Sequence, residues 1–261
     1  MITPKALVLR AAGTSGDSET EFALKQAGFD VRREHVSQVM DAPAMLADVQ
    51  LLVIPGGAAY GDDIAAGKIL ANQVIRRLAD ALNRFVQADK LVLGISNGFQ
   101  VMVKSGLLPW GNIQADQAGQ DVTLAWNSGG RFENRWVRLR CDSGKCAFLG
   151  KGDIVTLPVA HAEGRFVPRD ATVLDRLRSA DQIALRYIDA AGNDAKGSAP
   201  ANPSGSIDDI AGLCDPTGRI LGLMPQPERF TEITHHPQWT RGGITRADGK
   251  LLFDNARKYF A

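Results

Sequence analysis

The chain has 261 residues, 44% of them hydrophobic and 23% charged, which fits one or two globular domains and excludes a disordered or fibrous chain. Lysine and arginine number 30 and aspartate and glutamate 29, so the formal net charge of +1 provides no strong field to attract nucleic acid or an anionic membrane. No apolar run reaches the roughly 18 residues that a membrane span needs, and the N-terminus lacks the pattern of a signal peptide. Three cysteines make no disulfide framework and have the wrong spacing for a zinc site, so we expect a cytoplasmic protein without a bound metal.

The first hundred residues alternate strands and helices. Apolar runs predict strands at 5–9, 31–36, 51–54 and 91–95, and apolar spacing predicts helices at 18–27, 64–86 and 98–104, the second with a break near Gly67. Short apolar strands separated by helices indicate a mostly parallel central sheet that helices cover on both faces. Ligands bind such sheets at the carboxyl ends of the strands, so the loops after 51–54 and 91–95 are the first candidates for a site.

The rest of the chain is richer in predicted strands, which we take as β-rich additions to the same fold. The strand candidates are 122–126, 135–140, 154–158, 183–188, 210–214 and 220–224. Residues 190–206 are rich in Gly, Pro, Asn and Ser and predict a surface loop, and 249–259 predicts a closing helix. We therefore expect a single α/β domain over residues 1–261.

The segment Gly94-Ile95-Ser96-Asn97-Gly98 lies between a predicted strand and a predicted helix. A small residue, a nucleophile-type residue and a glycine at this spacing are typical of a nucleophile elbow, which lifts Ser96 out of the sheet and directs helix N–H groups at a substrate. The alternative is that Ser96 is only the N-cap of the helix.

Two further loops follow apolar strands. Gly56 and Gly57 come directly after the strand at 51–54. A backbone N–H of this turn and the N–H of Asn97 would together form an oxyanion hole. The alternative is that the two glycines only form a tight turn that needs positive φ. The loop after 220–224 contains Glu228 between prolines, and on pattern alone Glu228 is a solvated charge.

Together these segments resemble the class I, triad-type glutamine amidotransferases, and among them the glutaminase subunits of phosphoribosylformylglycinamidine synthase. The resemblance covers nearly the whole chain. Its further motifs are YGDD at 60–63, Gly67-Lys68, SGGRFE at 128–133, LPVAHAEGRF at 157–166, NPSGS at 202–206 and IAGLCDPTGR at 210–219. The resemblance implies a flavodoxin-like fold of the glutamine amidotransferase type.

The resemblance also implies a set of site residues. It places Ser96 at the nucleophile position of a Cys–His–Glu triad, Gln226 at the histidine position and Glu228 at the position of the orienting acid. The implied substrate-binding and oxyanion residues are Gly56, Gly57, Asn97 and Gln100. The candidates that face a partner are Arg131, Glu133, His161, Glu163 and Arg165, which are alternatively structural ion pairs.

The implied activity is hydrolysis of glutamine, with the ammonia passed to an ATP-dependent synthetase subunit in purine biosynthesis, with or without a third small subunit. We expect no cofactor here, because ATP and Mg²⁺ belong on the synthetase and no P-loop pattern is present. The serine hydroxyl is far less acidic than a cysteine thiol, and the glutamine amide cannot take up a proton as a base at neutral pH. We therefore expect strongly impaired hydrolysis. The alternatives are a non-catalytic pseudo-glutaminase that supports the synthetase, and a serine hydrolase built on Ser96.

Overall fold

A computed structural model describes residues 3–114 and 120–261. Its strands are β1 (Lys5–Arg10), β2 (Asp30–His35), β3 (Leu51–Ile54), β4 (Leu91–Ile95), β5 (Val122–Ala125), β6 (Glu133–Cys141), β7 (Ile154–His161), β8 (Arg165–Pro168), β9 (Ile183–Ile188), β10 (Ile210–Cys214) and β11 (Ile220–Leu223). Its α-helices are α1 (Asp17–Gln26), α2 (Val36–Asp41), α3 (Lys68–Gln73), α4 (Ala79–Gln87), α5 (Asn97–Lys104), α6 (Ala171–Ser179) and α7 (Asp248–Lys258).

Nine of these strands form one sheet in the order β2-β1-β3-β4-β11-β10-β9-β6-β7. The first five run parallel, and the remaining four extend the sheet in antiparallel fashion. Strands β5 and β8 pair separately. Buried apolar clusters lie on both faces of the sheet, as expected for strands with no polar face. The predicted α/β fold with a large sheet and added β segments is therefore confirmed.

Most of the predicted elements are present, and the strands at 51–54 and 91–95 have the predicted bounds. The helix predicted from residue 64 begins only at Lys68, because Gly67 adopts a left-handed conformation with φ of 71°, and a π-helical turn at Val74–Leu78 joins α3 to α4. Helices α2 and α6 and strand β8 were not predicted. Helix α6 had a usable signal, since the Asp170 side chain caps it by accepting from the Val173 N–H at 2.9 Å.

The sheet order places the carboxyl ends of β3, β4 and β11 side by side. Leu223 at the end of β11 pairs with Ile95 at the end of β4, and Ile54 at the end of β3 pairs with Gly94. The loops that follow these three strands therefore meet at one edge of the sheet. No helix within residues 3–114 and 120–261 is long and apolar enough to cross a membrane.

We expect Gly98→Ala to destabilise the protein, because a Cβ at residue 98 would lie 1.8 Å from the Ile54 carbonyl oxygen, which is backbone and cannot rotate away. Overpacking costs about 1–3 kcal/mol and outweighs the roughly 1 kcal/mol by which alanine favours a helix. Thermal unfolding followed by circular dichroism should show a lower Tm. The matched control is Gly243→Ala, where no atom lies within 4 Å of the new Cβ; an equal effect of the two substitutions would contradict the packing argument.

Candidate functional site

The turn between β4 and α5 holds Ser96 in a sparsely populated conformation, with φ of 52° and ψ of −107°. The Ser96 N–H donates to the Leu223 carbonyl at 2.7 Å, which ties the turn to the end of β11. Ser96 occupies the N-cap position of α5, as the alternative has it, but its side chain makes no capping hydrogen bond to the helix. The geometry is that of the predicted nucleophile elbow.

The Gly56–Gly57 turn lies beside the elbow and is held by the loop after β1. The N–H groups of Ser15 and Gly16 both donate to the Gly56 carbonyl at 3.1 Å. Gly57 has a φ of 140°, and a Cβ there would lie 2.6 Å from the Gly13 carbonyl oxygen. The turn thus requires glycine at residue 57 for both conformation and space.

Two backbone N–H groups at this edge have no acceptor among residues 3–114 and 120–261. The Gly57 N–H has none within the described part of the chain, and Asn97 opens α5, where an N–H has no intrahelical partner. Both residues adjoin Ser96, since Gly57 lines the same cavity and Asn97 follows it in the chain. This arrangement can bind an oxyanion or a carbonyl oxygen; substrate binding by these groups stays a prediction.

The side chains of Ser96, Gln226 and Glu228 come together around Gly56. The Ser96 Cβ and the Gln226 Nε2 each lie 3.5 Å from the point where a Cβ on Gly56 would be, so they are at most twice that distance apart. The Glu228 Oε1 lies 3.2 Å from the corresponding point on Gly16, and the Gly56 nitrogen lies 3.3 Å from that same point. Residues 130 positions apart in the chain therefore share one small region.

Gln226 and Glu228 are both buried, and neither has its polar oxygens satisfied by the described residues. The Gln226 N–H donates to the Pro158 carbonyl at 2.9 Å, whereas its side-chain Oε1 has no hydrogen-bond partner. Glu228 is only 1% exposed, so it is not the solvated charge that its pattern alone indicated. Burial raises the pKa of Glu228 to about 8, so its carboxyl group is mostly protonated at neutral pH.

Asn97 and Gln100 form a hydrogen-bonded network beside the elbow. The Asn97 Oδ1 accepts from the Ala59 N–H at 3.1 Å, and its Nδ2 donates to the Gln100 Oε1 at 2.9 Å and to the Asp62 carboxylate at 2.8 Å. The Gln100 Nε2 donates to the Glu163 carbonyl at 2.6 Å. The Gln100 amide is therefore engaged within the protein, and its predicted contact with substrate stays a prediction.

A cavity of about 290 Å³ opens over Ser96. Its walls include Gly57, Gln100 and His161, and two aromatic side chains, Trp126 and Phe132, stand at the opening. These two side chains are 63% and 61% exposed, which is unusual for large apolar groups. Hydrophobic patterning gave no sign of this exposure, because Trp126 comes directly after a half-buried strand.

Lys104 and Glu163 form a nearly buried ion pair behind this cavity. The Lys104 Nζ donates to the Ala66 carbonyl at 2.6 Å and lies 3.8 Å from the Glu163 carboxylate, which accepts from the Ala66 N–H at 3.1 Å. Burial lowers the pKa of Lys104, and the Glu163 charge opposes that shift. Glu163, one of the predicted partner-facing residues, thus also holds the cavity wall in place.

The other predicted partner-facing residues differ in exposure. Arg131 is largely exposed and pairs with the buried Glu133 at 3.1 Å, and Arg135 pairs with the same carboxylate at 2.5 Å. The Arg165 Nε is buried without a partner among the described residues. Ion pairs are therefore present for Arg131, Glu133 and Glu163, and a role toward a partner stays a prediction for all five.

Among the histidines and cysteines of the described residues, His161 alone lines the cavity with Ser96. His236 packs against Trp136, with ring centroids 4.3 Å apart, and neither it, His35 nor His235 lines the cavity. All three cysteines are buried, and burial raises the pKa of each thiol to about 12, so they remain protonated. Only His161 shares the cavity with Ser96.

We expect Glu228→Gln to flatten the fall in stability with rising pH. The folded protein keeps a proton on Glu228 up to about pH 8, whereas an unfolded chain loses it near the ordinary value of 4.5, so stability falls as pH rises between these values. Urea unfolding at about pH 5.5 and about pH 7.5 should show that the original chain loses roughly 2 kcal/mol relative to the variant. The exposed Glu232→Gln is the control, and parallel profiles for the original chain and Glu228→Gln would contradict the burial argument.

Comparisons with known proteins identify the family. The CobB/CobQ-like glutamine amidotransferase domain matches residues 3–260. The chain is 41% identical over 257 residues to phosphoribosylformylglycinamidine synthase subunit PurQ of Dehalococcoides mccartyi, covering 98% of this chain and 97% of that protein. It is 35% identical over 271 residues to subunit PurQ of Methanococcus maripaludis, covering 99% and 98%.

A solved structure agrees with these relatives. A chain in the structure of PurLQS from Thermotoga maritima superposes with a TM-score of 0.73 at 28% identity, covering the whole of both chains. This chain therefore belongs to the glutamine amidotransferases, and within them to the PurQ subunits of phosphoribosylformylglycinamidine synthase.

Proposed function

We propose that this chain is a subunit of phosphoribosylformylglycinamidine synthase that binds glutamine but hydrolyses it very slowly, because Ser96 and Gln226 occupy the nucleophile and base positions of the triad. The observation that carries the proposal is the meeting of Ser96, Gln226 and Glu228 around Gly56. The three side chains lie in one small region, as the members of a triad do, but no hydrogen bond links Gln226 to Glu228, since neither Glu228 oxygen has a partner among the described residues.

The missing chemistry concerns one proton. In triad enzymes of this kind a thiolate attacks the carbon of the glutamine amide, and the histidine that took the thiol proton gives it to the leaving ammonia. The Ser96 hydroxyl keeps its proton at neutral pH unless a base removes it, and the Gln226 amide is no such base. Glu228 is mostly protonated at that pH, so it does not serve as the base either.

The serine-hydrolase alternative has weaker support, even though His161 lines the same cavity as Ser96. No hydrogen bond joins the two side chains, because the His161 Nε2 has no partner among the described residues. Burial lowers the pKa of His161 to about 4, which makes it a weak base at neutral pH.

Binding of glutamine is supported by features that do not depend on residues 96 and 226. The N–H groups of Gly57 and Asn97 belong to the backbone, and the Gln100 network that supports the cavity wall is intact. The cavity volume of about 290 Å³ is in the range of small-ligand sites. Should the pocket fail to bind glutamine, the non-catalytic partner of the synthetase becomes the better hypothesis.

The proposed partner is the synthetase subunit, with or without a third small subunit, in the cytoplasm. Exposed Trp126 and Phe132 at the cavity opening fit an interface better than open solvent. ATP and Mg²⁺ would bind the synthetase, so we propose no cofactor for this chain.

We expect the double substitution Ser96→Cys with Gln226→His to raise glutaminase activity by about 10⁴-fold in the presence of the synthetase, because triad members act as a unit. Each single substitution should raise it little. The assay is ammonia release from glutamine, with Ser96→Ala plus Gln226→His as the control that lacks a nucleophile. Turnover of the unmodified chain at roughly 1–10 per second would contradict the proposal.

We also expect isothermal titration to detect weak binding of glutamine by the unmodified chain. A double variant that stays inactive together with no detectable binding would favour the non-catalytic partner. A double variant that becomes active would show that only residues 96 and 226 prevent hydrolysis.

A further inference from the structure

Asn127 determines which nitrogen of His161 carries the proton. The Asn127 Nδ2 donates to the carbonyls of Arg131, at 3.0 Å, and His161, at 2.9 Å. Its Oδ1 is therefore the acceptor that lies 3.1 Å from the His161 Nδ1, and it also accepts from the Gly164 N–H at 3.0 Å. The Nδ1 must then be the protonated nitrogen of a neutral ring, and Nε2 is left with a lone pair.

The lone pair on the His161 Nε2 is buried and unused. The side chain is 96% buried, and Nε2 has no hydrogen-bond partner within the described residues. A buried acceptor without a donor costs about 1–3 kcal/mol, so such a group calls for an explanation. His161 lines the cavity over Ser96, where a bound molecule can supply the missing donor.

His161 offers a buried acceptor atom in the cavity wall that has no donor among the described residues. The Asp62 and Glu163 carboxylates also line the cavity, but they accept from Asn97 and from the Ala66 N–H. Both ends of the Gln100 amide are engaged, with Asn97 and with the Glu163 carbonyl. Ser96 is at the elbow, beside the backbone N–H groups of Gly57 and Asn97. A primary amide placed there has its oxygen at N–H donors, and its NH₂ group then needs an acceptor.

We propose that the His161 Nε2 accepts a hydrogen bond from the side-chain amide N–H of glutamine bound in the cavity over Ser96. This inference rests on the proposed function. It gives His161 a contact with bound glutamine, in addition to the predicted role toward a partner. Burial keeps the ring neutral at physiological pH, since the pKa of His161 is lowered to about 4. Glu133 lies opposite His161 in the pairing of β6 with β7, and its carboxylate forms salt bridges with Arg131 and Arg135.

Two substitutions separate a ligand contact from a structural role. The Asn side chain in His161→Asn reaches the position of Nδ1 and can keep the hydrogen bond to Asn127, but it places nothing at Nε2. The Gln side chain in His161→Gln reaches the position of Nε2 with an acceptor oxygen. For a ligand contact, His161→Asn should weaken binding of glutamine about tenfold while His161→Gln retains it.

The experiment is isothermal titration of the full chain and both variants with L-glutamine and with L-glutamate, which lacks the amide N–H. Binding of glutamate should be equal in the original chain and in His161→Asn. If both ligands lose affinity equally in His161→Asn, the contact is not to the side-chain amide and the inference is wrong. The opposite order of the variants, with His161→Gln the weaker, would show that His161 acts only through Asn127.

A second measurement uses the original chain and therefore does not require that any variant folds. The ¹⁵N resonance of the His161 Nε2 should move when glutamine is added, and it should not move with glutamate. An unchanged resonance while titration shows glutamine binding would overturn this inference and leave the proposed function standing. Failure of the original chain to bind glutamine at all, with an inactive Ser96→Cys and Gln226→His double variant, would overturn both.

Discussion

The site depends on one backbone constraint, the turn that holds Ser96 at positive φ between a buried strand and a helix. A residue in this conformation is strained by about 1–3 kcal/mol and persists only where its surroundings hold it. Here the Ser96 N–H is bound to the end of β11, and Gly98 packs directly on the Ile54 carbonyl. These contacts bring the ends of three parallel strands together, and the cavity, the free N–H groups and the loop of Gln226 all follow from that meeting.

Burial is the second determinant of the chemistry, since it sets the protonation of the groups around the turn. Glu228 and His161 are both nearly inaccessible to water, and each is driven toward its neutral form. Lys104 experiences the same desolvation but lies 3.8 Å from the Glu163 carboxylate, whose charge opposes the effect. Burial thus shifts the pKa of all three groups toward the neutral form, and an opposite charge nearby opposes the shift in each case, Arg229 for Glu228, Glu133 for His161 and Glu163 for Lys104.

The sequence predicted the parallel half of the fold well because its strands are short, continuous apolar runs with glycine-rich ends. Strands β3 and β4 have the predicted bounds, and the loops after them line the cavity over Ser96. Strand β8 was missed because four residues that end in proline carry little pattern. The exposure of Trp126 could not be predicted either, since the sequence does not show whether an aromatic side chain is covered by the rest of the chain or lies at its surface.

The sequence by itself determined which chemical groups are present: a hydroxyl at 96 and an amide at 226, neither of which can be a proton-transferring base, and a carboxyl at 228. These properties belong to the side chains and hold in any fold. Only the tertiary structure decided that residues far apart in the chain meet at Gly56, that burial raises the pKa of Glu228 and that the His161 Nε2 has no partner among the described residues. Those features depend on distance and on exclusion of water, which arise when separate strands, loops and helices pack against one another.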